Sequence, residues 1–282
     1  MARFDVLSRR QFLSSTAALA GTALLAPAVT AADKDPYAGF KMGIQSYSLR
    51  HFKAAEALTH TKTLGLKYWE AFPGHIPLNN VPKQIEEQKK MLADAGVTLM
   101  AYGVVGFDEN ESKARTFFDY AKAMGIKSLS ADPKKDKATF DLLDKLVAEY
   151  DVAIAIHNHG PGHRYNKISD VEEVVKDRHP KIGACVDTGH YLRSDEKPHE
   201  AIERLGKRVF GVHFKDVKTH PDGKKQFRIL GEGDLDILAC MKILKKLDYQ
   251  YCLALEYEEN PTNPLSDLEV CYKAVRDAAA KL

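Results

Sequence analysis

Ala153-Ile-Ala-Ile-His157-Asn158-His159, Ile182-Gly-Ala-Cys-Val-Asp187-Thr-Gly-His190, Val209-Phe-Gly-Val-His213-Phe-Lys215-Asp216 and Tyr251-Cys-Leu-Ala-Leu-Glu256-Tyr-Glu258 are four short apolar runs, each ending in a side chain that can bind a metal. They follow one another along the chain with helical patterns between them. Short buried runs alternating with helices read as parallel strands joined by crossover helices. Four such strands, all ending in imidazoles or carboxylates, describe one rim of a barrel, where the loops after the strands build active sites.

The same alternation extends to the rest of the chain. Candidate strands are Met42–Tyr47, Lys67–Phe72, Thr98–Val104, Ile126–Ala131, Val152–His157, Ile182–Asp187, Val209–Phe214 and Cys252–Glu256. Helical patterns cover Phe52–Leu64, Pro82–Ala95, Glu111–Met124, Lys137–Glu149, Ser169–Lys176, Pro198–Leu205, Leu235–Leu247 and Pro264–Ala279. Gly65, Gly96 and Gly125 close the first three, the punctuation expected of helix C-termini. Eight strands and eight helices in about 250 residues match a single-domain (β/α)8 TIM barrel of the α/β class. The strands are nearly continuous apolar runs, as burial on both faces requires. An open doubly wound sheet is the alternative. It calls for a glycine-rich phosphate turn after the first strand, where Gln45-Ser-Tyr47 stands instead.

The first 32 residues read as a separate segment. Ser8-Arg9-Arg10-Gln11-Phe12-Leu13 has the form of a twin-arginine export signal, followed by a modest apolar run to about Ala26. Val29-Thr30-Ala31 then offers small residues before a cleavage point, with Ala31 or Ala32 the last residue removed. The barrel therefore spans 33–282, and the expected location is the periplasm. A weak membrane anchor is the competing reading; the run is too interrupted to span, so no stable membrane insertion is expected after processing. Export of an already folded protein suits a metalloenzyme and favours unphosphorylated sugars as substrates.

Forty-one basic and thirty-nine acidic side chains nearly cancel, leaving no surplus to hold a nucleic acid. The four cysteines, Cys185, Cys240, Cys252 and Cys271, form no CxxC pair and read as small core residues.

Polar strand ends on one rim share a mouth. Gln45 and Tyr47 come from the first strand, Glu70 from the second and Tyr102 from the third. His157, Asp187, His213 and Glu256 are the candidate metal ligands, from strands five to eight. Two neutral nitrogens and two carboxylates suit one Mn, Zn, Co or Fe ion better than Mg. Asp187 has a second explanation as a helix cap, and Lys215 a second one as a salt bridge to Asp216 or Glu256. Lys215 could otherwise hold an oxyanion. Arg228, just before Leu230-Gly-Glu-Gly, is a candidate clamp over the mouth, with a surface arginine as the alternative. Trp69 points opposite to Glu70 and reads as packing between barrel and helix.

With Gly43-Ile-Gln45-Ser-Tyr47, Tyr68-Trp-Glu70, His157-Asn-His159-Gly-Pro, Asp187-Thr-Gly-His190, His213-Phe-Lys215-Asp216, Gly231-Glu-Gly233 and Leu255-Glu256 in place, the chain resembles the xylose isomerase-like barrel superfamily. The resemblance spans essentially all of 33–282. It implies a sugar isomerase or epimerase that holds one divalent metal and passes through an enediolate, and it implies a homo-oligomer. In the ketose epimerases of that superfamily the ligands are Glu, Asp, His and Glu; here His157 stands where the first glutamate would be. The resemblance makes Glu256 a proton-transfer group, and the base otherwise falls to His157, Glu70, His159 or Lys215. His190 corresponds to a residue that contacts sugar hydroxyls, and Gln45, Tyr47 and His159 join it as substrate-binding candidates.

The expected activity is thus a metal-dependent isomerase or epimerase acting on a small carbohydrate. One alternative is a lyase or hydrolase acting on a 3-keto-glycoside, because elimination needs only one base. A non-catalytic sugar-binding barrel is a second alternative. An endonuclease IV-type enzyme would need further histidines at strand ends two and three, where Glu70 and Tyr102 stand.

Overall fold

β-branched and small residues dominate the buried runs, and they pair side by side until the sheet meets its own first strand. The computed structural model describes residues 35–282, so the expected export segment lies outside the described residues. Eight parallel strands close the barrel: β1 (Met42–Gln45), β2 (Tyr68–Ala71), β3 (Thr98–Phe107), β4 (Ser128–Pro133), β5 (Ala153–His157), β6 (Ile182–Asp187), β7 (Val209–Phe214) and β10 (Leu253–Leu255). β1 closes the ring by pairing with both β2 and β10. The helices are α1 (Ala54–Thr63), α2 (Pro82–Ala95), α3 (Glu111–Met124), α4 (Lys137–Tyr150), α5 (Ile168–Val175), α6 (Thr188–Arg193), α7 (Pro198–Leu205), α8 (Ile237–Lys246) and α9 (Leu265–Ala279). Among the described residues no helix is long and apolar enough to cross a membrane.

The helix ends follow local chemistry. Asn110, Asp136, Asp187 and Asp236 cap α3, α4, α6 and α8 by accepting a backbone N–H three residues on. Gly96 and Gly125 end α2 and α3 in the left-handed conformation, with φ of 69° and 74°.

Strand alternation sorts side chains into two layers. Ile44, Trp69, Ile154, Ile156, Val186, Val212, Leu253 and Leu255 pack outward with the helices in the main core. The alternate residues Ala153, Ala155, Cys185, Cys252 and Ala254 form small clusters inside the ring. Continuing that inner parity to the strand ends gives Gln45, Glu70, His157, Asp187, His213 and Glu256. Trp69 is fully buried and its Nε1 donates to Thr61 Oγ1 of α1 at 2.7 Å, the expected barrel-to-helix packing. All four cysteines are buried and free.

Three features differ from the sequence expectation. Tyr102 does not reach the mouth: Met100 is an extra residue opposite Trp69 and Glu70, and this bulge reverses the alternation beyond it. Tyr102 therefore turns outward, edge-on to Tyr120 of α3, with its hydroxyl on Ile76 O at 3.0 Å. Second, a hairpin of β8 (Asp216–Thr219) and β9 (Lys225–Arg228) follows β7, turning at Pro221-Asp222-Gly223. Third, α6 is a short extra helix directly after β6.

Candidate metal centre and substrate pocket

Four inner-parity strand ends converge. His157 Nε2 lies 3.1 Å from His213 Nδ1 and 3.5 Å from Asp187 Oδ2. His213 Nδ1 lies 3.2 Å from Glu256 Oε2 and 3.8 Å from Asp187 Oδ2. One ligand atom from each of the four residues fits within 4.8 Å of all the others. Asp187 Oδ2 and Glu256 Oε2 are buried without a hydrogen bond, although an ammonium ion-pairs with both. Two such carboxylate oxygens facing two imidazole nitrogens are a donor set that fits a divalent transition ion.

Neighbouring residues aim these atoms. Asp187 is both cap and candidate ligand: Oδ1 accepts His190 N at 2.7 Å, which turns Oδ2 into the cluster. The Asn158 amide locks the Asp187 backbone from both sides, at 2.8 and 2.9 Å. Thr188 Oγ1 ties Lys215 N and Lys215 O, joining α6 to the end of β7. Glu70 is wholly buried beneath His213, with Oε2 3.0 Å from His213 Nε2 and Oε1 accepting from Gln45 Nε2 at 3.0 Å. Glu70 is not among the pocket-lining residues; it sits behind His213, in the position of a group that orients the ring.

Above the cluster lies a pocket of about 390 Å³, lined by Gln45, Tyr47, Phe72, His157, His159, His190, Arg193, Lys215, Phe227, Glu256 and Glu258 among others. Lys215 is 3 % exposed, and its Nζ reaches Asp187 (3.1 Å), Glu256 (2.7 Å) and Glu258 (2.5 Å). Its expected alternative partner, Asp216, instead gathers the N–H groups of Gly231, Gly233 and Leu235 and holds that loop. Tyr47 stands edge-on to Phe72 at 5.0 Å. His159 stacks on the exposed His163 and meets His157 edge-on, each at 4.6 Å. Arg228 lies outside the pocket in β9, paired with Glu232 at 2.8 Å. The inserted hairpin brings a different side chain inward, Phe227.

The charges set the protonation states. Burial alone would push the Asp187 and Glu256 carboxyls up, but the Lys215 ammonium outweighs it and holds both well below the usual carboxylate range. Burial likewise opposes charge on Lys215 and His213, yet the surrounding acidic groups hold both above their ordinary values. His159 and His190 are pushed down to about 3 by burial and cationic neighbours, so both rings are neutral near pH 7.

The structure therefore brings together His157, Asp187, His213, Glu256, Lys215, His159, His190, Gln45 and Tyr47, and sets Glu70 below the cluster and Arg228 aside. Sequence reading passed over Arg193, Phe227, Phe72 and Glu258 as site residues. Glu258 could have been found, since it lies two residues beyond Glu256 at a strand end. Phe72 directly follows β2, at the end of the predicted strand Lys67–Phe72, while Arg193 and Phe227 sit on inserted elements whose position no period announces.

A family model described as xylose isomerase-like TIM barrel matches residues 58–274. An inosose dehydratase of Clostridium botulinum (strain Eklund 17B / Type B) is 29 % identical over 140 residues, covering 44 % of this chain and 47 % of that protein. The chain thus spans about half the length of that relative. An inosose dehydratase of Clostridium botulinum (strain Alaska E43 / Type E3) is 24 % identical over 235 residues, covering 66 % of this chain and 78 % of that one. Among solved structures, that of the IOLI protein with a bound zinc atom superposes with a TM-score of 0.66 at 17 % identity, covering 85 % of this chain and 98 % of that one.

Proposed function

The chain belongs to the xylose isomerase-like TIM barrel family, and from that premise we propose that it is a divalent-metal-dependent enzyme that removes a proton beside the carbonyl of a free sugar derivative and completes the reaction by elimination. The observation that carries this reading is the convergence of His157, Asp187, His213 and Glu256 beneath a pocket walled by proton donors and acceptors. A divalent ion held by these four supplies Lewis acidity toward a substrate oxygen and makes the adjoining C–H acidic.

The protein's own groups complete the chemistry. Glu258, half-buried and outside the ligand set, is placed to accept the C–H proton. The electron pair forms the new double bond, and the leaving hydroxyl departs as water with a proton from Lys215 Nζ. The 2.5 Å contact between Lys215 Nζ and Glu258 Oε1 then returns the proton from acid to amine and resets the pair. Neutral His190 and Gln45 line the same pocket and orient the sugar oxygens. The relatives' name, a dehydratase, supports elimination. Isomerisation or epimerisation is the second reading, favoured by His159, a neutral imidazole just beyond β5 that lines the same pocket as Lys215 and Glu258.

Metal content and product identity test this together. The purified chain is expected to hold about one divalent ion, lost in Asp187→Ala and Glu256→Ala. In D2O, keto-sugars should yield an unsaturated ketone, whereas deuterium appearing in recovered or isomerised sugar would favour the second reading. Lys215→Gln should keep its metal and lose about 100-fold or more in kcat, the scale of one acid–base group. A folded protein that takes up no metal on titration would sink the proposal.

Residues 1–32 are proposed as the twin-arginine signal that delivers 33–282 to the periplasm. Replacing Arg9 and Arg10 by Lys should leave the precursor unprocessed; unchanged processing would remove the export reading.

A further inference from the structure

Arg193 ends α6 at the pocket wall, and its guanidinium is held on several sides. A Cβ built on Gly160 would lie 2.9 Å from both Cζ and Nη1 and 3.3 Å from Nε. Cζ is as near as either nitrogen, so the guanidinium lays its flat face on the Gly160 backbone, a contact only glycine permits. Phe227 from the hairpin lies 5.3 Å from Cζ. One donor, Nη1, sits 3.2 Å from His190 Nδ1. The hairpin is itself fastened to this corner, because Lys225 Nζ donates to Leu192 O at 2.6 Å and pairs with Asp195.

The charges around the pocket do not balance at this residue. Lys215 has three carboxylates against it. Among the described residues no carboxylate pairs with Arg193, and Asp195, two positions on, is taken by Lys225. A divalent ion on Asp187 and Glu256 would leave Glu258 to Lys215 and still nothing to Arg193. A fixed planar fork with four unspent N–H donors, lining a pocket and lacking an acid, matches a carboxylate.

We propose that Arg193 selects substrates that carry a carboxylate, so that the pocket takes a sugar acid bearing a carbonyl in preference to the neutral sugar. This rests on reading the pocket as the substrate site. The carboxylate sits on the in-plane edge of Arg193, while the carbonyl end of the same molecule faces the His157, Asp187, His213 and Glu256 cluster. Arg193 also donates to His190 Nδ1, which leaves the proton on Nε2 and makes His190 a donor.

Calorimetric titration of the metal-loaded full chain with D-glucuronate and with D-glucose tests it, with galacturonate and galactose as a second pair. The uronates should bind about tenfold or more tighter than the matched neutral sugars, the scale of one charge-assisted pair. Arg193→Gln should erase that ratio while metal content and thermal midpoint hold, and Arg193→Lys should restore it only in part. Equal binding of acid and neutral sugar by the wild type overturns the inference. So does a preference that survives in Arg193→Gln, since the metal or Lys215 would then be reading the carboxylate. If Arg193→Gln does not fold, an undiminished ratio in Arg193→Lys overturns it and a reduced one supports it. Metal content, read separately, tells this failure from failure of the metal-site reading.

Discussion

A carboxylate 3.0 Å from the Nε2 of His213 decides which ring nitrogen faces the other three candidate ligands. This ion pair favours a proton on Nε2, so that Nδ1 is the nitrogen that would give its lone pair to a metal. Glu70→Gln is therefore expected to lower metal affinity about 10- to 100-fold while leaving the pocket walls in place. Competition with a chromogenic zinc chelator would measure it, and unchanged affinity would return Glu70 to a packing role. Asp187 divides its work between two oxygens, and substitutions can separate them. Asp187→Asn keeps an acceptor for His190 N but removes the charged ligand, so it should lose metal with little change in metal-free stability. Asp187→Ala loses both, and should cost about 1 kcal/mol more in the metal-free protein, the usual value of a helix cap. Equal metal-free stability of the two variants would mean that the cap contributes nothing.

Between β1 and β2 a relay of side chains fixes the corner of the barrel. Phe72 N–H donates to Ser46 Oγ at 2.8 Å, Ser46 Oγ contacts His75 Nδ1 at 2.9 Å, and His75 Nε2 reaches Phe52 O at 3.1 Å. Phe52 O requires the proton on Nε2, and a neutral ring then accepts the Ser46 hydroxyl at Nδ1 while Ser46 Oγ accepts from Phe72 N–H. Burial lowers the His75 pKa from 6.5, so the unfolded chain takes up the proton first as pH falls. The stabilisation is thus present above about pH 6.5 and is lost below it. His75→Gln should destabilise by about 1–3 kcal/mol at pH 8 and by less at pH 5, measured by denaturant unfolding. A penalty independent of pH would refute the neutral-ring assignment. Element periodicity also marks where sequence reading succeeds and stops. Parity carried from Ala153 and Ala155 to His157, and from Cys185 to Asp187, leads straight to the candidate ligand cluster because those strands run unbroken into the mouth. Parity misplaces Tyr102 because the extra residue Met100 is invisible in composition. The hairpin left a trace in Pro221-Asp222-Gly223, but a turn signal does not say that Phe227 will face the pocket and Arg228 will not.

The apolar mass lies between barrel and helices, while most of the buried ionisable groups are concentrated at one end of the ring. Asp187, Glu256, Lys215 and His213 are each no more than 9 % exposed, so their desolvation is offset by one another and by Glu70, Glu258 and the His190 N–H. The eightfold alternation was legible because every crossover must bury one face of a helix; this buried charge was legible only as residue types at strand ends. A bound divalent ion would neutralise the two buried carboxylates that Lys215 and His213 now face, and an ion that binds only the folded chain stabilises it by mass action. At a free metal concentration 100 times the dissociation constant this is worth about 2.7 kcal/mol. For a barrel of this size that corresponds to a rise of roughly 5–10 °C in Tm. Scanning calorimetry before and after chelation should show that difference in the wild type, and none in Glu256→Ala. If chelation leaves the wild-type transition unmoved while metal is demonstrably removed, the ion binds somewhere other than the buried cluster. If Glu256→Ala responds to the chelator as strongly as the wild type, β10 contributes no ligand, and the four-residue centre is wrong in its last member.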